Sequence, residues 1–332
     1  MKVQQGAQTL SSAGVLVPSR PPGYTRILHA LRAFWHVLTL NRKVATGSAI
    51  VGFFIVVGLI GPFFMTIDPE ATSHLFLTPP APAHLLGTTV VGEDIFSQLV
   101  YGTRTSVFWG LGTGILVTVL SVLVGLVGGY FGGVVDDLLT LLTNISLVLP
   151  ALPLAIVLAA YFPRGPLTIS LVIVCTNWAW QARVLRSQTL SMRSREFVTA
   201  ARLSGENVWR IIFFEIFPNE IGLVVAGFVS TTIYVVLTWA SLEFLGLGDG
   251  TIPSWGGILY WAQQAGALGG GLWWWFVPPG ACIAVLGAGL SLINFGIDEI
   301  ADPRLHVERP TKVKKAKKKS AHGNTNKDAV RG

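Results

Sequence analysis

Six stretches of this chain are long and apolar enough to cross a bilayer: residues 44–65, 107–130, 138–162, 167–185, 221–245 and 273–297. Crossing about 30 Å of hydrocarbon takes about 20 helical residues. The apolarity is continuous rather than confined to one stripe, which separates these segments from surface helices. In lipid each backbone polar group must find its partner within the structure, so only helices or a closed barrel can span. Runs of this length select helices. The expected fold class is all-α: a polytopic membrane helix bundle with six transmembrane helices. Only 12% of the residues are charged and 51% are hydrophobic, too few charges to cover a soluble enzyme or to keep a chain disordered.

Orientation follows from lysine and arginine. Of 24 such residues, 22 fall before the first span, between spans four and five, or after span six; Arg104 and Arg164 alone fall on the other side. The positive-inside rule then places both termini and the four–five loop in the cytoplasm. The expected organisation is a cytoplasmic segment 1–43, a six-span transmembrane domain 44–300 containing a cytoplasmic loop 186–219, and a cytoplasmic tail 301–332 rich in lysine. The first 43 residues hold no apolar run of the signal-peptide kind. The net charge of +7 is a matter of membrane topology, and lipid rather than nucleic acid is the expected contact. Trp255, Tyr260, Trp261 and residues 273–275 suit the water–lipid interface. Gly128 with Gly132, and Gly129 with Gly133, form overlapping GxxxG patterns that permit close helix approach. Pro150 and Pro153, and Pro278 and Pro279, are expected to kink their helices.

Several chemistries are missing. No lysine lies between residues 44 and 311, so there is no phosphate-cradling Gly-x-x-x-x-Gly-Lys-Ser/Thr loop. The six histidines are scattered outside the spans, and Cys175 and Cys282 have no metal-ligand spacing. Gly246-Leu247-Gly248-Asp249 has the GxGD form of intramembrane aspartyl proteases, but that chemistry needs a second aspartate at membrane depth to share a proton. Asp136 and Asp137 are placed in a short loop on the opposite side. Ionisable groups within the spans are few, Glu243 being the clearest, whereas ion-coupled transporters carry such groups near the midplane. Asn144, Asn177 and Gln181 suit interhelical hydrogen bonds or a pathway lining.

The four–five loop is more than a connector. Ser194 is placed to cap a helix from Arg195, with Glu196 favouring the positive end of its dipole. Phe197, Ala200, Ala201 and Ser204 fall on one face. Gly205 suits the left-handed residue that ends a helix. Asn207 is placed to cap a second short helix, residues 208–217, before Pro218. From the residues alone, this is either a docking element or an interfacial hairpin.

The segment Glu196-Phe197-Val198-Thr199-Ala200-Ala201-Arg202-Leu203-Ser204-Gly205, followed by Ile216-Phe217-Pro218-Asn219, resembles the EAA loop of ATP-binding-cassette importer permeases. It is most similar to the dipeptide/oligopeptide/nickel family, second-permease type. Gly87-Thr88, Gly92, Asp94 and Tyr101-Gly102-Thr103-Arg104 resemble the stretch before that family's second span. Gly128-Gly129-Tyr130-Phe131-Gly132-Gly133 with Asp136 resembles its two–three turn. Phe244 to Gly248 and Pro253-Ser254-Trp255-Gly256 resemble the stretch after span five, and Asp302-Pro303-Arg304-Leu305 the terminal motif. Three positions depart: Thr199 stands for the loop's eponymous glutamate, Glu93 for an arginine and Thr89 for an aspartate.

The resemblance implies a type I ABC importer permease fold. It implies pairing with a homologous permease subunit, two cytoplasmic ATPases that bind ATP and magnesium, and an extracytoplasmic substrate-binding protein, in a prokaryotic inner membrane. It assigns ATPase coupling to Glu196, Phe197, Thr199, Ala200, Ala201, Arg202, Gly205 and Pro218. It implies no cofactor and no catalysis in this chain, and cargo of di- or oligopeptides, with nickel or oligosaccharides as other members' cargo. The alternative is a self-sufficient channel or secondary transporter.

Overall fold

The computed structural model describes residues 41–301. The segment up to residue 40, the lysine-rich tail and the Asp302–Leu305 motif lie outside the described residues. The helices are α1 (Arg42–Phe64), α2 (Ile95–Phe131), α3 (Gly133–Val148), α4 (Ala151–Tyr161), α5 (Pro166–Asn177), α6 (Ala179–Met192), α7 (Glu196–Leu203), α8 (Val208–Phe244), α9 (Trp255–Gln264) and α10 (Trp273–Ala301). Among the described residues, β-structure is limited to two isolated bridges, Ala81 with His84 and Thr88 with Asp94.

α1, α2, α8 and α10 are each long and apolar enough to cross a membrane. The third expected span divides into α3 and α4, which meet at 92°. The break falls at Leu149 and Pro150, and Pro153 sits in the first turn of α4, where its missing N–H has no helical partner to lose. The fourth expected span divides at Trp178 into α5 and α6, and α5 alone is only 12 residues long. Length and composition therefore give four spans, or five with the bent pair taken as one, in place of six uniform rods. α10 runs through Pro278 and Pro279 without interruption.

α2 is the pillar of the bundle. Its 37 residues make a rod of about 55 Å, starting at Ile95 rather than near residue 107. Asp94 caps it, accepting from the Ser97 N–H at 2.8 Å. The polar residues of its early turns are held by α9: the Trp255 N–H donates to Ser106 Oγ at 3.0 Å, and its indole to Thr103 Oγ1 at 3.3 Å. Trp255 and Trp275 are consequently core residues, fully buried, and only Trp261 and Trp273 of the expected interfacial set are half exposed.

Glycines let α2 meet its neighbours. A Cβ on Gly114 would stand 2.6 Å from Thr232 of α8, and one on Gly129 would stand 2.6 Å from Thr189 Cβ and 2.9 Å from the Arg186 carbonyl of α6. The close approach to α6 thus runs through Gly125 and Gly129. Gly132 and Gly133, expected in the GxxxG pairs, instead take φ of 67° and 56° and turn the chain into α3. α1 packs on α10 by the same means, Gly47 against Gly289. Their ends are tied by Asn41 Nδ2 donating to Glu299 at 2.9 Å and by Lys43 at 3.3 Å from the same carboxylate.

Candidate functional site

The site begins where α6 leaves the bundle. Arg186 of α6 binds Asp136 of α3 through two nitrogens, Nη2 at 2.7 Å from Oδ2 and Nε on Oδ1. Thr189 donates to Glu220 of α8 at 3.0 Å, and Arg193 to the Gly129 carbonyl of α2 at 3.3 Å. Three helices therefore hold the end of α6 before α7 starts.

α7 is eight residues long, too short to be stable on its own. Its N-cap is Arg195, with no side-chain cap; Ser194 turns away and donates to the Ser191 carbonyl at 3.3 Å. Glu196 still occupies the first turn, where the dipole favours it. Val198 anchors the helix: fully buried, it packs with Leu126, Tyr130, Leu185, Ile211, Ile212 and Ile216. Ala201 leans on the same cluster. The expected face of Phe197, Ala200, Ala201 and Ser204 is therefore divided, with Ala201 turned toward the bundle and the other three outward. The outward surface carries Glu196, Phe197, Thr199, Ala200 and Leu203, the last 85% exposed. The Thr199 hydroxyl donates only to the backbone one turn back, 3.3 Å to the Arg195 carbonyl. Arg202 reaches back to the Tyr130 hydroxyl at 3.3 Å, its guanidinium 5.2 Å from that ring's centre.

Gly205 ends the helix at φ 75°. Its N–H donates to the Arg202 carbonyl at 3.0 Å, and the Glu206 N–H to the Ala201 carbonyl at 3.2 Å, the paired bonds of a Schellman motif. No atom lies within 4 Å of where a Cβ would be, so backbone conformation alone requires glycine. Asn207 then caps the next helix, accepting from the Trp209 N–H at 3.1 Å. That helix does not stop before Pro218. A π turn over Ile211–Ile216 carries it into the α-helical Phe217–Phe244, and Pro218 falls in the first turn of that segment. The wider π turn accommodates a residue that cannot donate to the preceding turn. Phe197, Leu203 and Trp209, each exposed by more than a third, and Arg195, Arg202 and Arg210 make a mixed apolar and cationic surface. Beside it a cavity of about 500 Å³ is lined by Tyr130, Phe131, Arg193, Ser194, Arg202 and Val208.

This surface suits docking. Among the described residues no group of three histidine, cysteine or carboxylate side chains could hold a metal. In the GxGD look-alike, Asp249 accepts from the N–H and hydroxyl of Thr251 at 3.0 and 2.7 Å, bonds that hold its carboxyl below the ordinary range. Asp136 is committed to Arg186. Two departures from the family pattern sit together: the Glu93 N–H donates to Thr89 Oγ1 at 3.1 Å, and that hydroxyl donates to the Glu93 carboxylate at 3.2 Å. Of the three amides, Asn144 accepts from Arg183 and Gln181 from Thr231, while Asn177 caps its own helix. Sequence reasoning missed Val198, Tyr130, Arg186 and Thr189. The pairing of Arg186 with Asp136 left a signal, since charges at span ends need partners; the burial of Val198 left none.

A bundle of helices long and apolar enough to cross a membrane, with broken spans and a surface helix clamped to it, defines a polytopic membrane protein. Residues 118–307 match the family described as binding-protein-dependent transport system inner membrane component, and the chain belongs to that family. It is 30% identical over 268 residues to the oligopeptide transport system permease protein OppC of Bacillus subtilis, covering 80% of this chain and 87% of that one. It is 29% identical over 283 residues to the dipeptide permease DppC of Haemophilus influenzae (83% and 95%), and 28% identical over 283 residues to the di/tripeptide permease DppC of Pseudomonas aeruginosa (83% and 92%).

Proposed function

We propose that this chain is one of two permease subunits of an ATP-driven importer of di- and oligopeptides. In this reading it lies in a prokaryotic inner membrane with α7 and both termini in the cytoplasm. A homologous permease completes the pathway, two ATPases holding ATP and magnesium dock at α7, and an extracytoplasmic binding protein delivers the peptide. The chain itself carries no cofactor and catalyses no reaction. The observation that carries the reading is the build of α7: Val198 clamps one side to the bundle, Glu196, Thr199, Ala200 and Leu203 remain outward, and Gly205 locks the angle to α8. A short helix so mounted moves as one body with α6 and α8. A push from a docked ATPase therefore reaches the spans.

The test is reconstitution of the four-component complex with its binding protein in liposomes. Tripeptide uptake that requires ATP and the binding protein supports the reading. Uptake by this chain without the ATPases contradicts it and favours the channel or secondary transporter.

A further inference from the structure

Two helix breaks of this subunit occur at one depth. α3 runs 16 residues to its break. α6 begins 14 residues from its α7 end. Ser230 stands 13 positions along α8 from Phe217, the point level with the end of α6, where Thr189 bonds Glu220. At about 1.5 Å per residue all three lie about 20–25 Å from the end that carries α7, within the hydrocarbon span of about 30 Å. Between them is a cavity of about 470 Å³, whose lining includes Leu149, Pro150, Asn177, Trp180, Ser230 and Tyr234.

The break between α3 and α4 is open: Val148 is 82% exposed and Leu149 44%. Pro150 and Pro153 lack the N–H groups that the carbonyls of Ser146 and Leu149 would take in a continuous helix. Ser146 and Leu149 both line the cavity. Non-helical backbone at membrane depth persists only where protein buries it or water reaches it, not against lipid. The remaining wall is mostly apolar and uncharged: Thr176, Asn177, Ser230, Thr231 and Tyr234 bring polar side chains to it, and no Asp, Glu, Lys, Arg or His is in the lining. The Tyr234 side chain is half exposed, with no hydrogen-bond partner among the described residues.

We propose that this cavity is the subunit's wall of the translocation pathway, and that its occupant is the main chain of the transported peptide. The assignment rests on the peptide-importer reading above. Ser230, Thr231, Thr176 and Asn177 spend their donors within the chain, which leaves the Tyr234 hydroxyl and the carbonyls at the break to meet the amide groups common to every peptide, whereas charged groups would select particular side chains. The broken helix supplies carbonyls that an intact helix would have used internally.

The experiment uses the assembled complex with Cys175 and Cys282 replaced by serine, and a membrane-impermeant cationic thiosulfonate as probe. Cysteine is introduced by Tyr234→Cys, by the near-isosteric Ser230→Cys in case the first does not assemble, and by Phe53→Cys on the exposed face of α1 as the lipid-side control. A charged reagent needs water to react, so cavity positions should label at least about tenfold faster than Phe53→Cys. Saturating tripeptide delivered by the binding protein should slow them. No labelling at either cavity position in any nucleotide state, in a complex that still takes up tripeptide, overturns the wall and leaves the importer reading standing. Labelling that tripeptide never slows overturns the peptide as occupant. A wild-type complex that imports no peptide removes the importer reading, and this proposal with it.

Discussion

The chain breaks its helices with glycine at one place and with proline at another, and the two breaks differ in what they do with backbone hydrogen bonds. At Gly205 the left-handed turn returns both donors, its own N–H and that of Glu206, to carbonyls of α7. Both donors of the turn are used, and the angle between α7 and α8 is set. At Pro150 the chain is extended, ψ 112°, and two carbonyls lose their helical donors. The first junction is closed and suits transmission of a push. The second is open and suits contact with water or cargo. Both replace a straight helix, and residue choice decides which property results.

The largest expected effect comes from destroying the platform of the glycine junction. Gly129→Leu drives a side chain into Thr189 and the Arg186 carbonyl. Overpacking of this kind costs about 3 kcal/mol, with no space for relief between two helix backbones. Folded protein recovered from membranes should fall sharply, as read by thermal unfolding in detergent. Normal yield would mean that α6 does not lean on α2 there. Val198→Ala comes next, removing the anchor of α7 at a cost on the order of 2 kcal/mol. It should reduce substrate-stimulated ATPase activity while cysteines at residues 230 and 234 label as before. Pro150→Ala should act in reverse: a restored N–H lets the Ser146 carbonyl close, so peptide uptake falls several-fold while ATPase subunits still assemble. Unchanged uptake would show that the open carbonyl has no part in transport. Thr199→Ala should be smallest, under about 0.5 kcal/mol at an exposed site, since its hydroxyl bonds only the Arg195 carbonyl one turn back. A large loss of coupling there would give position 199 a role that its lack of a carboxylate argues against.

Much of the glycine junction was legible in sequence. The short helix, expected from Arg195 and found from Glu196 without the Ser194 cap, the glycine end and the Asn207 cap are local, decided by residues within a few positions. Pro150 was legible as an interruption, though not as a 92° bend, because the angle depends on what the two halves pack against. The rest was hidden for tertiary reasons. α2 begins at Ile95 because Trp255, far along the chain, satisfies Thr103 and Ser106; the polar stretch alone reads as a loop. α8 passes Pro218 because a π turn adjusts the register, which periodicity arguments do not anticipate. Val198 is one apolar residue among several in its loop, and only the position of Leu126, Leu185 and Ile216 makes it the anchor. The charge asymmetry, by contrast, bears on orientation and not on packing.

The closed glycine junction is the central claim, and it is tested most directly by paired substitutions at one position. Valine is a misfit at φ 75°, a conformation costing about 1–2 kcal/mol for an ordinary residue and more for a β-branched one, whereas asparagine tolerates it. No neighbour lies near enough for size to matter. The measurement is ATPase stimulation by peptide-loaded binding protein in the reconstituted complex. The account predicts that Gly205→Val abolishes stimulation and Gly205→Asn largely keeps it, with both proteins present in the membrane at wild-type levels. Full stimulation in Gly205→Val, or equal loss in both variants, would contradict it.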